Sequence, residues 1–363
     1  MLTNLKLKNA YSIKDLDMSF LKGRYGYKKD MIYKDVVNPC AIYGYNGAGK
    51  TSVVNALNDL VNLLIGDEEK FYPFIPNFNF KNEDTVLELN FVLDNNLYSY
   101  FLTCSFSKNK IENEGLLINS IPVFTRNETH VVVENKEYEL KGDLYLGIRQ
   151  LYSLLDELKD TKLGIKRAYD YLTNITIIKG DEYNSKLCNF KKMEDLMIEN
   201  SEEIKRVIST FKDIPLFDFL NVKEDNDLNI YMKHSKLKLP GFLISDGMLT
   251  LTKVLSLLIN MDAGSLLVVD YIEKNLHPIS VLTLVKEAQK RDVQLLFTSH
   301  NTNLMQELRP DQIYFARWKD GASYYFRLSN IYENIREINN IEKMYLSNTF
   351  ENAINQIVSV DDK

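Results

Sequence analysis

Gly44-Tyr45-Asn46-Gly47-Ala48-Gly49-Lys50-Thr51 is the stretch that decides how this sequence folds. It fits the pattern G-x-x-x-x-G-K-[ST] without departure. The residues before it, Cys40-Ala41-Ile42-Tyr43, are apolar and few, as in a buried strand. After it, Val53, Val54, Ala56, Leu57, Leu60, Val61 and Leu64 recur at helical spacing. A glycine-rich loop between a strand and a helix is a phosphate-binding device. Gly44, Gly47 and Gly49 let backbone N–H groups turn inward without a Cβ clash. Those groups and the helix N-terminus make an anion cradle. Asn46, Gly47, Ala48, Gly49, Lys50, Thr51 and Ser52 are therefore the candidate phosphate-binding residues. Lys50 is suited to neutralise the β- and γ-phosphates of a nucleoside triphosphate, and Thr51 offers a hydroxyl to Mg²⁺.

The whole chain sets bounds on this reading. Its 363 residues can hold one large α/β domain or two smaller ones. A net charge of -6 argues against bulk non-specific binding to nucleic acid but leaves room for a local basic patch. Cys40, Cys104 and Cys188 form no C-x-x-C pair, which fits a reducing cytoplasm and gives no metal site. Only four histidines are present, which speaks against a zinc enzyme. Met1 to Lys8 alternates apolar and polar residues, as a strand does and a signal peptide does not. No apolar run approaches a membrane span.

Along the chain, Leu5 and Leu7 alternate, as do Ile13, Leu16 and Met18 more loosely. Lys22, Arg24, Lys28, Lys29 and Lys34 are interleaved with Tyr25, Tyr27 and Tyr33. Such a loop can hold a nucleic-acid backbone. The simpler reading, adopted here, is a solvated hairpin with tyrosines on its apolar side. Phe71-Tyr72-Pro73-Phe74-Ile75-Pro76 reads as a rigid connector. Residues 85–106 alternate around the turn Asp94-Asn95-Asn96 and predict an antiparallel hairpin. Residues 111–125 and 130–140 predict further short strands. Residues 148–212 carry helical spacing, with Leu151, Leu154, Leu155 and Leu158 and then Met193, Leu196, Met197, Ile204 and Val207. No long heptad run points to a coiled-coil arm.

From residue 240 the sequence turns informative again. Pro240 and Gly241 break a strand, and Ile244-Ser245-Asp246-Gly247 precedes an amphipathic helix that Ser245 or Asp246 can cap. Its N-terminus is a second candidate anion site. Leu266-Leu267-Val268-Val269-Asp270 has the form of a buried parallel strand that delivers a carboxylate to Mg²⁺. A helix over 280–291 leads to Val293-Gln294-Leu295-Leu296-Phe297-Thr298-Ser299-His300, a second buried strand. His300 at its end is a candidate sensor of the γ-phosphate, at the strand ends where doubly wound sheets place ligands. Gln312 to Ala316 and Ser323 to Phe326 predict a hairpin through Asp320-Gly321. Residues 330–359 predict a charged, moderately amphipathic helix.

The phosphate loop, Ile244-Ser245-Asp246-Gly247, the Asp270 strand with Leu276-His277-Pro278, and Ser299-His300 occur in an order that resembles the ABC-type ATPases of the SMC, RecF and OLD-like group. The resemblance is closest to AAA-family ATPases of bacterial anti-phage and abortive-infection operons, of the AbiL and PARIS types. Asn38-Pro39, Ser299 to Leu304, Arg309 to Ile313 and Asn340 to Leu346 extend it. It implies an α/β P-loop NTPase fold, an ABC-ATPase head with an antiparallel β subdomain and a helical insertion. The expected division is 1–145, 146–225 and 226–363. It further implies ATP and Mg²⁺ as cofactors and a head-to-tail homodimer or higher homo-oligomer. Ser245 and Gly247 would then meet the γ-phosphate of the other subunit, Asp270 would orient Mg²⁺, and His300 would be the switch histidine. A separate effector, often a TOPRIM-type nuclease, usually accompanies such ATPases.

One departure matters. The group follows its Mg²⁺-binding aspartate with an acid that polarises water, and here that position is Tyr271. A phenol of ordinary pKa is a poor base at neutral pH. Glu273 matches the second acid of the group's D-E-x-E, and a chain running straight on would carry it too far along to serve. The expectation is a protein that binds ATP and hydrolyses it slowly or not at all, the alternative being that a nearby residue or a partner supplies the base. No glutamine loop is evident, the nearest residues being Asn79 and Asn82. The alternatives are a RecF-like repair ATPase on duplex DNA and, more remotely, a transporter motor.

Overall fold

The computed structural model describes residues 1–65, 74–127, 129–184, 186, 193–209, 217–219, 229–232, 238–240, 245–332, 334–351 and 353–354. Phe71 to Pro73 of the expected connector, Cys188, Gly241, Ile244 and residues 355–359 lie outside them.

The apolar runs become parallel strands buried on both faces, as continuous Val, Leu and Ile stretches must. Thr176–Lys179, Leu266–Asp270, Gln294–Ser299, Cys40–Tyr43 and Ile313–Lys319 lie side by side in that order, all parallel. Side chains alternate across the sheet. Cys40, Ile42, Leu266, Val268, Leu296, Tyr314 and Ala316 enter one apolar cluster, together with Val53, Leu57, Leu60 and Leu64 of the helix Lys50–Ile65. Ala41, Tyr43, Leu267, Val269, Leu295, Phe297, Ile313 and Phe315 enter the other. Leu251, Val254, Leu255 and Leu258 of the helix Asp246–Asn260 cover that second face, with Val281, Leu284 and Ala288 of the helix Pro278–Lys290. Each fully buried aliphatic side chain contributes roughly 1.5–3 kcal/mol, so the two clusters fix the register of the strand ends where the polar residues sit.

The antiparallel strands continue this sheet and make no separate layer. Ile313–Lys319 pairs with Ala322–Arg327 through the turn Asp320-Gly321, as the sequence predicts. Ile13–Ser19 follows, parallel to Ala322–Arg327 with Ile13 opposite Ser323, and then, antiparallel throughout, Leu2–Ala10, Thr85–Leu93, Asn96–Ser105, Lys110–Ile118, Ile121–Asn127, His130–Val133 and Lys136–Glu139. The hairpin expected over 85–106 forms with Leu93 opposite Asn96, and Asp94 and Asn95 take φ of 46° and 63° in the turn. A short three-stranded sheet, Phe217–Phe219, Asn229–Met232 and Lys238–Pro240, stands apart.

Two expectations need correction. Helices do form within 146–225, at Gly147–Ser153, Lys162–Thr173, Met193–Glu199 and Ser201–Ser209. The segment is not purely helical, however, because Thr176–Lys179 joins the main sheet beside Leu266–Asp270. Ile175, Thr176, Ile177 and Ile178 are all β-branched, which favours a strand once a partner edge is present. Residues 330–359 give no single long helix either. Their described part holds the short helices Leu328–Ile331 and Ile341–Leu346.

Several of the polar stretches in the family resemblance are buried clamps. Arg309 is fully buried and donates from Nε and Nη2 to the Asp311 carboxylate at 2.9 and 2.8 Å. Its Nη1 donates to Tyr27 O at 2.5 Å, and Gly23 N donates to Asp311 Oδ2 at 2.6 Å. Asn38 donates to Val293 O at 2.7 Å and accepts from Leu295 N at 2.9 Å. The basic, aromatic loop is thereby packed on the body of the protein. The Lys28 ammonium donates to Gln306 O at 2.6 Å, and Lys22 pairs with Asp35. Among the described residues no helix is long and apolar enough to cross a membrane.

Asp59 makes a buried link on the helix Lys50–Ile65. It accepts from Tyr11 OH at 2.5 Å and Phe74 N at 2.8 Å, and burial pushes its carboxyl up to about 6. A carboxyl raised in the folded state favours folding while protonated, so its penalty grows as pH rises from about 4 to about 6. Wild-type stability relative to Asp59→Asn should fall over this window by up to about 3 kcal/mol. Urea denaturation of both proteins at pH 5 and pH 7.5 checks the sign.

Candidate nucleotide-binding site

The buried interior strand Cys40–Tyr43 delivers the glycine-rich loop at the carboxyl ends of the parallel strands. Gly47 and Gly49 take φ of 77° and 98°. A Cβ on Gly49 would lie 2.1 Å from Ser323 Oγ, so space and backbone both demand glycine there. The helix starts at Lys50, and the N–H groups of its first turn have no acceptor within the helix. With the helix dipole they favour an anion. Lys50 is 3% exposed, and its ammonium donates to Gly44 O at 2.9 Å and Tyr45 O at 3.1 Å. Burial lowers its pKa, and the charges of Asp270 and Glu273 oppose that shift. The cation is thus poised across the loop it serves.

Thr51, one residue further, faces the end of the strand Leu266–Asp270. Its Oγ1 donates to Asp270 Oδ1 and Oδ2 at 3.2 and 3.1 Å. Asp270 is buried, and Thr298 Oγ1 donates to its Oδ1 at 2.7 Å. A hydroxyl and a carboxylate are hard oxygen donors, and Mg²⁺ is held by one or two such side chains together with phosphate and water. Among the described residues no group of three or more His, Cys, Asp or Glu is gathered for a metal, so a softer, all-protein site has no basis there. Thr51 and Asp270 fit Mg²⁺, which when bound would screen phosphate charge.

Beyond Asp270 the chain does not run straight. Tyr271 takes φ 55°, a left-handed conformation that a bulky residue rarely adopts. It is held there by Tyr271 N donating to Thr298 Oγ1 at 2.8 Å and Lys274 N donating to Tyr271 O at 2.8 Å. The turn brings Glu273 back to the end of the neighbouring strand, where His300 N donates to its Oε1 at 2.6 Å. The premise that carried Glu273 away from the site is therefore not met. Its Oε2 is buried without a hydrogen-bond partner among the described residues.

The Tyr271 ring stacks on the His300 ring with centroids 5.2 Å apart, and the Lys50 ammonium lies 5.7 Å from its centre. Burial raises the phenol pKa, the Asp270 charge adds to the rise, and a hydrogen bond with Thr51 opposes it. Tyr271 is therefore a neutral hydrogen-bonding group at physiological pH. Burial and then the Lys50 charge lower the His300 pKa against the pull of Glu273 and Asp270, so the imidazole is neutral near pH 7.

Lys50, Thr51, Asp270, Tyr271, Glu273 and His300 are thus gathered at one end of the parallel strands. Ser245 and Gly247 lie apart from that group in their contacts. Ser245 caps the helix Asp246–Asn260 by accepting from Met248 N at 3.4 Å, and it is exposed. Gly247 packs on the turn that follows Asp270, where a Cβ would lie 2.4 Å from Asn275 O. Asn79 donates to Gly321 O at 3.0 Å, two residues before Ser323 on the hairpin Ile313–Arg327. Sequence reasoning missed Thr298, although a threonine ending the apolar run Leu295-Leu296-Phe297 was a signal. It also missed Ser12, Ser323 and Tyr325, which support the loop from beneath.

A phosphate cradle, a lysine across it, and a threonine–aspartate pair at the ends of parallel strands define a P-loop NTPase. Solved structures agree on the fold. The SMC head domain from Thermotoga maritima matches with a TM-score of 0.50 and 17% identity, covering 90% of this chain and 98% of that one. The SmcHead bound to the C-winged helix domain of ScpA matches with a TM-score of 0.52 and 15% identity, covering 90% and 96%. The chain belongs to the family described as "AAA domain, putative AbiEii toxin, Type IV TA system", whose model matches residues 40–306. No curated protein matches it.

Lys50→Ala should weaken ATP binding by about 10- to 100-fold, the loss of hydrogen bonds from a charged donor. Asp270→Asn should instead remove most of the gain in affinity that Mg²⁺ gives. Calorimetric titration with ATP, with and without Mg²⁺, separates the two effects.

Proposed function

We propose that this chain binds Mg²⁺ and ATP and closes on them as a head-to-tail homodimer, hydrolysing the nucleotide slowly. In this reading Lys50 and the loop residues Asn46 to Ser52 hold the phosphates of one subunit. Ser245 and Gly247 of the other close the site, and His300 reports the γ-phosphate. The exposure of Ser245 at a helix start supports a role toward another subunit.

The observation that carries slow turnover is Tyr271. It occupies the position after the Mg²⁺-binding aspartate, its pKa is raised, and its ring is packed against His300. A neutral phenol can donate a hydrogen bond but does not take a proton from water at neutral pH. In this reading Glu273 serves to hold His300, whose backbone N–H donates to one of its carboxylate oxygens, and is not the base.

A long-lived ATP state suits a sensor and scaffold better than a motor. The family and the resemblance to anti-phage ATPases support a role in bacterial defence, holding a separate effector until a trigger arrives. A TOPRIM-type nuclease is the effector class that the resemblance favours. A protein of the same fold, the SmcHead, is solved with a winged-helix domain of ScpA, which supports a head of this shape carrying a partner protein. A RecF-like reading on duplex DNA has less support, because Lys28 and Lys22 of the basic loop are engaged within the protein.

Phosphate release by the purified protein tests the reading. Wild-type turnover should be far below ordinary rates of about 1–10 s⁻¹. Tyr271→Glu should raise it by about 100-fold or more, the usual size of general-base catalysis, and Tyr271→Phe should leave it unchanged. Ordinary wild-type turnover that Glu273→Gln abolishes and Tyr271→Phe does not would make Glu273 the base and sink the proposal.

A further inference from the structure

Four hydroxyl side chains from three distant parts of the chain meet beneath the phosphate loop. Ser12 lies in the turn between Leu2–Ala10 and Ile13–Ser19, Ser52 in the first turn of the helix Lys50–Ile65, and Ser323 and Tyr325 on the strand Ala322–Arg327. Ser323 Oγ donates to Ser12 Oγ at 2.7 Å. The Ser12 and Ser52 hydroxyls share a bond of 2.6 Å in which either is the donor. Tyr325, two residues along the strand and so on the same face as Ser323, donates to Gly49 O at 2.7 Å. Ser323 N donates to Ser12 O at 2.7 Å, which ties the serine turn to the strand by its backbone as well.

The helix is gripped at two places by the same turn. Ser12 holds Ser52, and the adjacent Tyr11 holds Asp59 at 2.5 Å. Seven residues separate Ser52 from Asp59, which is two helical turns, so both grips fall on one face. The loop backbone at Gly49 and the hydroxyl at Ser52 are therefore held by side chains from two other parts of the chain.

The protons can be counted. The Ser323 proton lies on Ser12, and the Tyr325 proton lies on Gly49 O. Ser12 and Ser52 have two protons and one shared bond. When Ser12 donates, the Ser52 proton is free to serve another acceptor. An anion over the loop selects that arrangement, because a hydroxyl proton facing a phosphate oxygen makes a charge-assisted hydrogen bond. We propose that Ser12, Ser323 and Tyr325 are positioning residues for the α- and β-phosphates, orienting the Ser52 hydroxyl and the Gly49 backbone toward them. This rests on the reading of the loop as a nucleotide site.

The test is calorimetric titration of the full chain with ATP and with ADP, each with and without Mg²⁺. Ser12→Ala and Tyr325→Phe should each weaken ATP and ADP alike by about three- to tenfold, the loss of one hydrogen bond. The ratio of affinities with and without Mg²⁺ should not change, because Thr51 and Asp270 are untouched. Ser12→Thr, which keeps the hydroxyl at a half-buried position, should return affinity to within about twofold of wild type. A purely structural role would lower the melting temperature and leave the affinity of the folded protein unaltered. Wild-type binding of ATP with Ser12→Ala and Tyr325→Phe both within about twofold overturns this inference alone. Failure of the wild-type protein to bind ATP overturns the nucleotide reading and this inference with it.

Discussion

The hydrogen bond from Thr298 Oγ1 to Asp270 joins two parallel strands at the point where the site begins. The same threonine oxygen accepts from Tyr271 N, so one hydroxyl orients the carboxylate and sets the turn that follows it. Each of these groups sits at a strand end because the apolar residues behind it alternate between two cores. A register slip of one residue would send Asp270 to the opposite face and leave Thr51 without its partner.

The turn at Tyr271 gives the site its character. A left-handed tyrosine between Thr51, Lys50 and His300 places an aromatic wall beside the phosphate cradle. The wall has a donor at its tip and no base. Glu273, which an extended chain would carry away, instead fixes the backbone of His300. A phenol, and not that acid, packs on the His300 ring beside the cradle.

Much of this was legible in the sequence, and for local reasons. The phosphate loop, the hairpin over 85–106, the Asp270 strand and the hairpin through Gly321 each rest on periodicity or turn chemistry within a dozen residues. What sequence reasoning missed depends on distant partners. Thr176–Lys179 is a strand because Leu266–Asp270 offers it an edge. Ser12 and Ser323 meet across 311 positions, and no spacing rule reaches that far. The return of Glu273 hinges on one backbone angle at Tyr271, where tyrosine gives no hint of a left-handed turn. The basic loop was read as a solvated hairpin with tyrosines on its apolar side; pairing is confined to Ile32–Tyr33 and Val36–Val37, and its anchor, the buried Arg309, was seen only as part of a family phrase.

On the proposed function, a head with a neutral phenol after Asp270 and an exposed Ser245 at the start of a helix is suited to being held closed on ATP rather than cycled. Sedimentation velocity of the purified chain tests this most directly, run without nucleotide, with Mg²⁺ and ATP, and with Mg²⁺ and ADP. The account predicts a shift to twice the monomer mass with Mg²⁺ and ATP and with neither of the other two, persisting for hours. A monomer at saturating ATP, or a dimer indifferent to nucleotide, would contradict it.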